Sequence, residues 1–197
     1  MTTAIVLLWM AAFPLMGSPG PATLSLAAIG AAFGARRGLG YLAGIILGTS
    51  GVLLLVASGV TGLILAVPAL VWAVTVLAAA YILYLAYRIA TAPVIAEQAG
   101  DVKAPALSSG FVLAIANPKA FAAIGAVYSG HGVVPGDLAV DALIKVLALV
   151  LVIMVVNTAW LVFGAAFSVV LRDPRRGRIA NILFAILLVG SVVVGLL

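Results

Sequence analysis

The sequence predicts an all-α polytopic membrane protein with six transmembrane helices in an inverted three-plus-three repeat, helices 1 and 4 being broken at proline. Three observations carry that expectation. The 197 residues are 66% hydrophobic and 8% charged, with a mean hydropathy of +1.38, whereas ordinary soluble domains are about 25% charged. The apolar residues fall in runs long enough to cross about 30 Å of hydrocarbon as helices, and too long for barrel strands. Two of these runs hold proline-centred breaks, Gly17-Ser18-Pro19-Gly20-Pro21 and Asn117-Pro118-Lys119, one in each half of the chain. Proline removes a backbone donor and frees a carbonyl. In a bilayer such groups survive only inside protein or beside a water-filled cavity, and paired broken helices point to a transporter binding site.

The six segments fall at about 3–34, 40–66, 69–90, 108–129, 138–171 and 178–197. They form one transmembrane domain over 1–197, with half-repeats at about 1–90 and 108–197 and a linker at 91–107. The first segment lacks a basic start and a small-residue cleavage site, so it reads as a retained helix and not as a signal peptide. It is too long for one straight span, and the region from Pro14 to Pro21 breaks it. The fourth breaks at Pro118. The fifth is also too long, so its start, Asp137 to Lys145, belongs at the interface or lines a vestibule.

Net charge is +5 and the pI is near 10. The basic residues lie between apolar runs, which argues for a lipid bilayer and against nucleic acid as the partner. Arg36 and Arg37, Arg88 and Lys103, and Arg172, Arg175, Arg176 and Arg178 flank or occupy alternate loops. The positive-inside rule therefore places both termini outside the cytoplasm. There are no cysteines and one histidine, His131, so no metal site and no cofactor is expected.

Lys119 is the most informative ionisable residue. It lies 11 residues beyond Ser108, about 16 Å into its helix and near the midplane. A charge there costs roughly 2.5–3.5 kcal/mol on insertion. Its ammonium could face a cavity and hold a substrate carboxylate; alternatively it snorkels or pairs with a carbonyl freed by Pro118. Ser18, Pro19, Gly20, Pro21 and Thr23 form the other half of the expected site. The half-helix beginning near Pro21 turns its positive dipole end toward the gap, where a carboxylate would fit; the plainer reading is a kink for close packing. Asn117 and Pro118 flank Lys119. Asn157 could line the pathway or simply hydrogen-bond a neighbouring helix, as polar residues in spans commonly do. Tyr81 is deep enough to be a cavity candidate. Asp137, Asp141 and Lys145 share one helix face by their four-residue spacing; Asp141 is the candidate for ion coupling, against a reading as part of a solvated face. Gly30, Gly34 and Gly38, and Gly40, Gly44 and Gly48, form small-residue ridges suited to internal packing or to a homodimer face.

Ser18-Pro19-Gly20-Pro21, Gly34-Ala35-Arg36-Arg37-Gly38, Ala80-Tyr81-Ile82-Leu83-Tyr84-Leu85, and Phe111 with Asn117-Pro118-Lys119-Ala120 occur in that order. In this the chain resembles the LysE/RhtB family of amino-acid exporters over nearly its whole length. The resemblance implies secondary-active export of amino acids or close derivatives across a bacterial inner membrane, driven by an ion gradient. Family members commonly carry an acidic residue in the second helix after a Gly-x-x-x-Gly stretch; here Gly44-Ile45-Ile46-Leu47-Gly48 is followed by Thr49. Neutral substrates of homoserine, threonine or lactone type therefore suit this chain better than basic ones.

The alternative is a non-transporting membrane scaffold or accessory subunit, which would not need midplane breaks. An enzyme is not expected, because a Ser18 nucleophile would have only the loop residue His131 as its base. A transporter of hard cations would need several carboxylates, and the apolar segments offer almost none.

Overall fold

The computed structural model describes residues 1–59, 68–91, 104–170 and 174–196, and every regular element among them is an α-helix. In chain order these are α1 (Thr2–Gly17), α2 (Pro21–Phe33), α3 (Ala35–Ala57), α4 (Pro68–Ala90), α5 (Leu107–Ile115), α6 (Pro118–Gly130), α7 (Leu138–Val170) and α8 (Pro174–Leu196). α3 and the stretch Leu138–Phe167 of α7 are each long and apolar enough to cross a membrane. Two helix pairs meet that test together: α1 with α2, bent by 64°, and α5 with α6, bent by 61°.

The bends follow from the prolines. Pro14 lies within α1 without ending it, so the turn falls at Ser18 to Gly20 alone. Pro118 opens α6 at its first position, with Asn117 as the N-cap accepting the Lys119 amide at 3.2 Å. Proline is suited to that position because a helix's first amide has no partner anyway.

Several boundaries differ from the sequence expectation. α2 and α3 are separated by Gly34 alone, whose φ of 78° stops the first helix and starts the next. Arg36 and Arg37 thus ride on the first turn of α3, and Arg175, Arg176 and Arg178 on the start of α8, where loops were expected. Charge marks the aqueous edge of a helix as readily as a loop. Residues 60–66 of the expected second segment, 92–103 of the linker, and Arg172 lie outside the described residues.

The buried apolar side chains form two clusters. One gathers Leu26 and Ile29 of α2, Tyr41 and Ile45 of α3, Ile82 and Leu85 of α4, Leu113 of α5 and Leu161 of α7. The other gathers Leu8 of α1, Val52 and Leu53 of α3, Ile124 of α6, and Leu149 and Ile153 of α7. α3 and α7 run through both.

Glycine sets the two tightest crossings. Gly30 on α2 lies against the Leu161–Ala165 backbone of α7, and Gly164 lies against Ala27 in return. Gly44 and Gly48 on α3 meet the α5 backbone at Leu107 and Phe111, and Gly110 meets the Tyr41 carbonyl. Backbones approach this closely only without Cβ atoms between them. Of the two glycine ridges, Gly30, Gly44 and Gly48 serve internal packing, Gly34 is a turn, and a Cβ on Gly40 would have nothing within 4 Å.

Candidate functional site

The site is built from the carbonyls that the first break leaves without helical donors. In a continuous helix the Leu15 carbonyl would bond the amide of residue 19, and the Gly17 carbonyl that of residue 21. Both positions are proline and carry no N–H. Leu15 O instead accepts the Ser18 hydroxyl at 2.9 Å, and Gly17 O accepts Trp160 Nε1 from α7 at 3.0 Å. The Gly20 amide, released from the helix, donates to Thr23 Oγ1 at 2.9 Å, and Thr23 Oγ1 lies 3.1 Å from Gly20 O and 3.3 Å from Ser18 O. The second break shows the same bookkeeping. Pro118 denies Ala114 O its donor, and the Asn117 amide supplies one at 3.3 Å.

Two carbonyls of the first break, Ser18 O and Pro19 O, are met by Lys119 from the second. Its ammonium makes a short hydrogen bond to Ser18 O and a longer one, 3.2 Å, to Pro19 O. The lysine does pair with a break carbonyl, but across to α1 and not within its own break. Gly20 cradles its stem: a Cβ there would stand 2.6 Å from Lys119 Cδ.

Beside this clasp lies a cavity of about 40 Å³, bordered by Gly20 and Thr23 of the first break, Asn117 and Lys119 of the second, Thr49 of α3 and Asn157 of α7. On that measure it holds roughly three waters, so the conformation described is closed to anything larger. The cavity lies where the two apolar clusters meet. Ala22 on its wall belongs to one cluster, and Ile124, Ile153 and Val156 belong to the other.

Three polar groups on this wall are buried without a protein partner among the described residues. The Thr49 side chain, 7% exposed, makes no hydrogen bond there. Asn117, 4% exposed, uses its Oδ1 on the Lys119 amide and leaves Nδ2 over. Asn157, 5% exposed, donates Nδ2 to Ile153 O at 2.7 Å and leaves Oδ1 over. Buried polar groups are nearly always satisfied, and orphaning one costs about 1–3 kcal/mol. A donor, an acceptor and a hydroxyl left over around one cavity are the pattern of a site for a small polar ligand or its water.

Of the residues expected from sequence, Gly20, Thr23, Asn117, Lys119 and Asn157 come together on this wall, with Ser18, Pro19, Pro21 and Pro118 shaping the backbone behind it. The side chain of Tyr81 lies outside the described residues. Asp141 is not on this wall. Its Oδ1 accepts the Val133 and Val134 amides at 2.5 and 2.8 Å, and its Oδ2 pairs with Lys145 at 2.9 Å. Lys145 also donates to Tyr128 O at 3.0 Å and lies 4.0 Å from that ring's centre. This network ties the end of α6 and the following loop to α7, away from the cavity wall. Thr49 had been marked in the sequence only by the absence of an acid; the structure puts it on the wall.

Ser18 and His131 do not form a nucleophile–base pair: Ser18 bonds Leu15 O, and His131 Nδ1 lies 3.0 Å from Val127 O at the far end of α6. No group of three His, Cys, Asp or Glu residues among those described could hold a metal ion.

Comparison with curated proteins gives no match, and comparison with solved structures gives none. The LysE type translocator family model matches residues 13–196, and the chain belongs to that family.

Proposed function

We propose that this LysE-type translocator is a secondary-active exporter of neutral amino acids or close derivatives, of homoserine, threonine or lactone type, moving them out of the cytoplasm across a bacterial inner membrane on an ion gradient. The observation that carries this reading is the set of buried groups without a partner among the described residues, the Thr49 hydroxyl, Asn117 Nδ2 and Asn157 Oδ1, gathered with Lys119 around one cavity beside the two helix breaks. A protein this apolar has no reason to collect unsatisfied polar groups at one depth unless a polar molecule passes there.

The mechanism follows from where the cavity lies. Its wall takes Ala22 from one apolar cluster and Ile124, Ile153 and Val156 from the other. Parting either cluster while the other stays packed would open the cavity to one aqueous phase at a time. An inverted repeat of six spans fits this motion, and several features support it. The two bends are nearly equal, at 64° and 61°. Thr49 follows Ile45 by four residues on α3, and Asn157 follows Ile153 by four on α7, so each of the two through-running helices places one polar residue at the junction of the clusters. On the loop charges, both termini lie outside the cytoplasm, and a reporter fused after Leu197 should be active on that side.

Counterflow in proteoliposomes tests the function. Saturable exchange of a neutral amino acid, lost in Lys119→Ala while the protein still inserts, supports the exporter. A purified, folded protein that exchanges nothing across a full amino-acid panel favours the scaffold.

A further inference from the structure

We propose that the Ser18 and Pro19 carbonyls form a binding site for a primary ammonium group, which Lys119 fills in the closed state and which the ammonium of a zwitterionic substrate takes in its place. The proposal deepens the exporter reading and rests on it.

The chemistry of the two carbonyls comes first. They lie just beyond the C-terminus of α1, where the helix dipole is negative, and they face one nitrogen together. An ammonium has three donors and no acceptor, so one such group can serve both oxygens at once. The carbonyls that need permanent caps already have neutral ones: Ser18 Oγ on Leu15 O and Trp160 Nε1 on Gly17 O. Pro19 O is left to a cation on a flexible stem, and Ser18 O takes that cation beside a long bond, 3.3 Å, from the Thr23 hydroxyl.

The neighbourhood of that cation fits an exchange and not a fixed strut. Among the described residues Lys119 has no carboxylate partner; Asp141 is the acid tied to a lysine there, and that lysine is Lys145. The stem crosses Gly20, whose φ of −176° and ψ of −179° any residue could adopt. The absence of a side chain there leaves room for the lysine and is not required by the backbone. The nitrogen borders a cavity whose leftover donor and acceptor, Asn117 Nδ2 and Asn157 Oδ1, have nothing to hold while it is closed.

This arrangement selects the ligand's charge. An amine alone could displace Lys119 but would leave the displaced ammonium uncompensated at depth. A carboxylate alone could not take the carbonyls. A zwitterion does both, giving its ammonium to Ser18 O and Pro19 O and its carboxylate to the freed Lys119. Free α-amino acids are therefore favoured over lactones, which have lost the carboxylate.

Alkylammonium ions test the site in detergent, without transport. Lys119→Ala removes the tethered occupant, so ethylammonium chloride should raise its unfolding temperature saturably, by about 3–6 °C at ten times the dissociation constant. Wild-type protein should show no rise, and neither should Lys119→Ala with tetramethylammonium, which has no N–H, or with sodium acetate. No rise with ethylammonium, or an equal rise in wild type or with tetramethylammonium, overturns the proposal. A second variant keeps the lysine: Gly20→Ala places a methyl in contact with Lys119 Cδ and pushes the side chain off the carbonyls. Acetylation mapped by mass spectrometry should then proceed at least fivefold faster at Lys119 than in wild type and at an unchanged rate at Lys145. Equal Lys119 rates in the two proteins overturn the clasp. If the protein is a scaffold, exchange fails in proteoliposomes while both of these results stand, so the two failures are distinguishable.

Discussion

Replacing Trp160 by phenylalanine should destabilise the fold more than the same change at Trp9, although both indoles donate to a carbonyl. Trp160 Nε1 is 3.0 Å from Gly17 O, and Trp9 Nε1 is 3.2 Å from Ala148 O. The acceptors differ. Ala148 lies inside the continuous helix α7, so its carbonyl keeps the bond from the amide four residues on. The residue four beyond Gly17 is Pro21, which has no N–H. Losing the indole at Trp9 forfeits one ordinary hydrogen bond, about 0.5–1.5 kcal/mol. At Trp160 it orphans a carbonyl within the bundle, about 1–3 kcal/mol. The lost ring area is similar in the two variants and cancels in the comparison, leaving a difference of about 1 kcal/mol, or roughly 2–4 °C in unfolding temperature for a chain of this size. Thermal unfolding of both variants in one detergent measures it. Equal losses, or a larger loss at Trp9, would refute the idea that the prolines leave Gly17 dependent on α7.

Thr49→Val and Asn157→Leu should keep or raise the unfolding temperature, because each removes an unsatisfied buried group, while lowering exchange at least tenfold, equivalent to about 1.4 kcal/mol of lost binding; proteoliposome assays beside thermal melts read both. Gly164→Leu should fail to give folded protein, since its Cβ would run into the Ala27 backbone, whereas Gly40→Leu, with nothing within 4 Å of the added carbon, should purify and melt like wild type; expression and size-exclusion profiles decide. Asp141→Asn should be destabilising by about 1–3 kcal/mol, since Lys145 loses its carboxylate but keeps Tyr128 O, and Asp141→Asn with Lys145→Met should recover part of that loss. Exchange per folded molecule should persist in the double variant, and its abolition would return ion coupling to Asp141.

The breaks were legible in the sequence because proline's effect is chemical and local: the missing N–H is certain wherever the residue is. The helix class and the pairing of Asp141 with Lys145 were legible for the same reason, through hydropathy and four-residue spacing. The partner of Lys119 was not. It lies a hundred positions away, and the freed carbonyl nearest in sequence, Ala114 O, is met instead by the Asn117 amide. Thr49 could have been found by stepping along α3. Tyr41 and Ile45 precede it by eight and four residues, Val52 and Leu53 follow by three and four, and all four are buried. A lone threonine on that face must itself be buried. The same stepping from Leu149 and Ile153 to Leu161 brackets Asn157. The surroundings of Asp141 were not legible, because spacing reveals a neighbour on the same helix and nothing of the Val133 and Val134 amides that claim its other oxygen.

The first break separates two tasks that a bent span has to combine. The carbonyls that hold the bend, Leu15 O and Gly17 O, are capped by a serine hydroxyl of the same turn and an indole of α7. Both caps are neutral, short-stemmed groups that cannot leave without breaking local structure. The carbonyls behind the cavity wall, Ser18 O and Pro19 O, share an ammonium on a four-carbon stem laid over a glycine, with the Thr23 hydroxyl also 3.3 Å from Ser18 O. Such a cap can swing away while the bend stays fixed. Were the assignments reversed, every turnover would unpin α1 from α7. As built, an exchange of cations at the break leaves the bend intact. That is why Trp160→Phe is expected to register in melting curves and Gly20→Ala in the reactivity of Lys119.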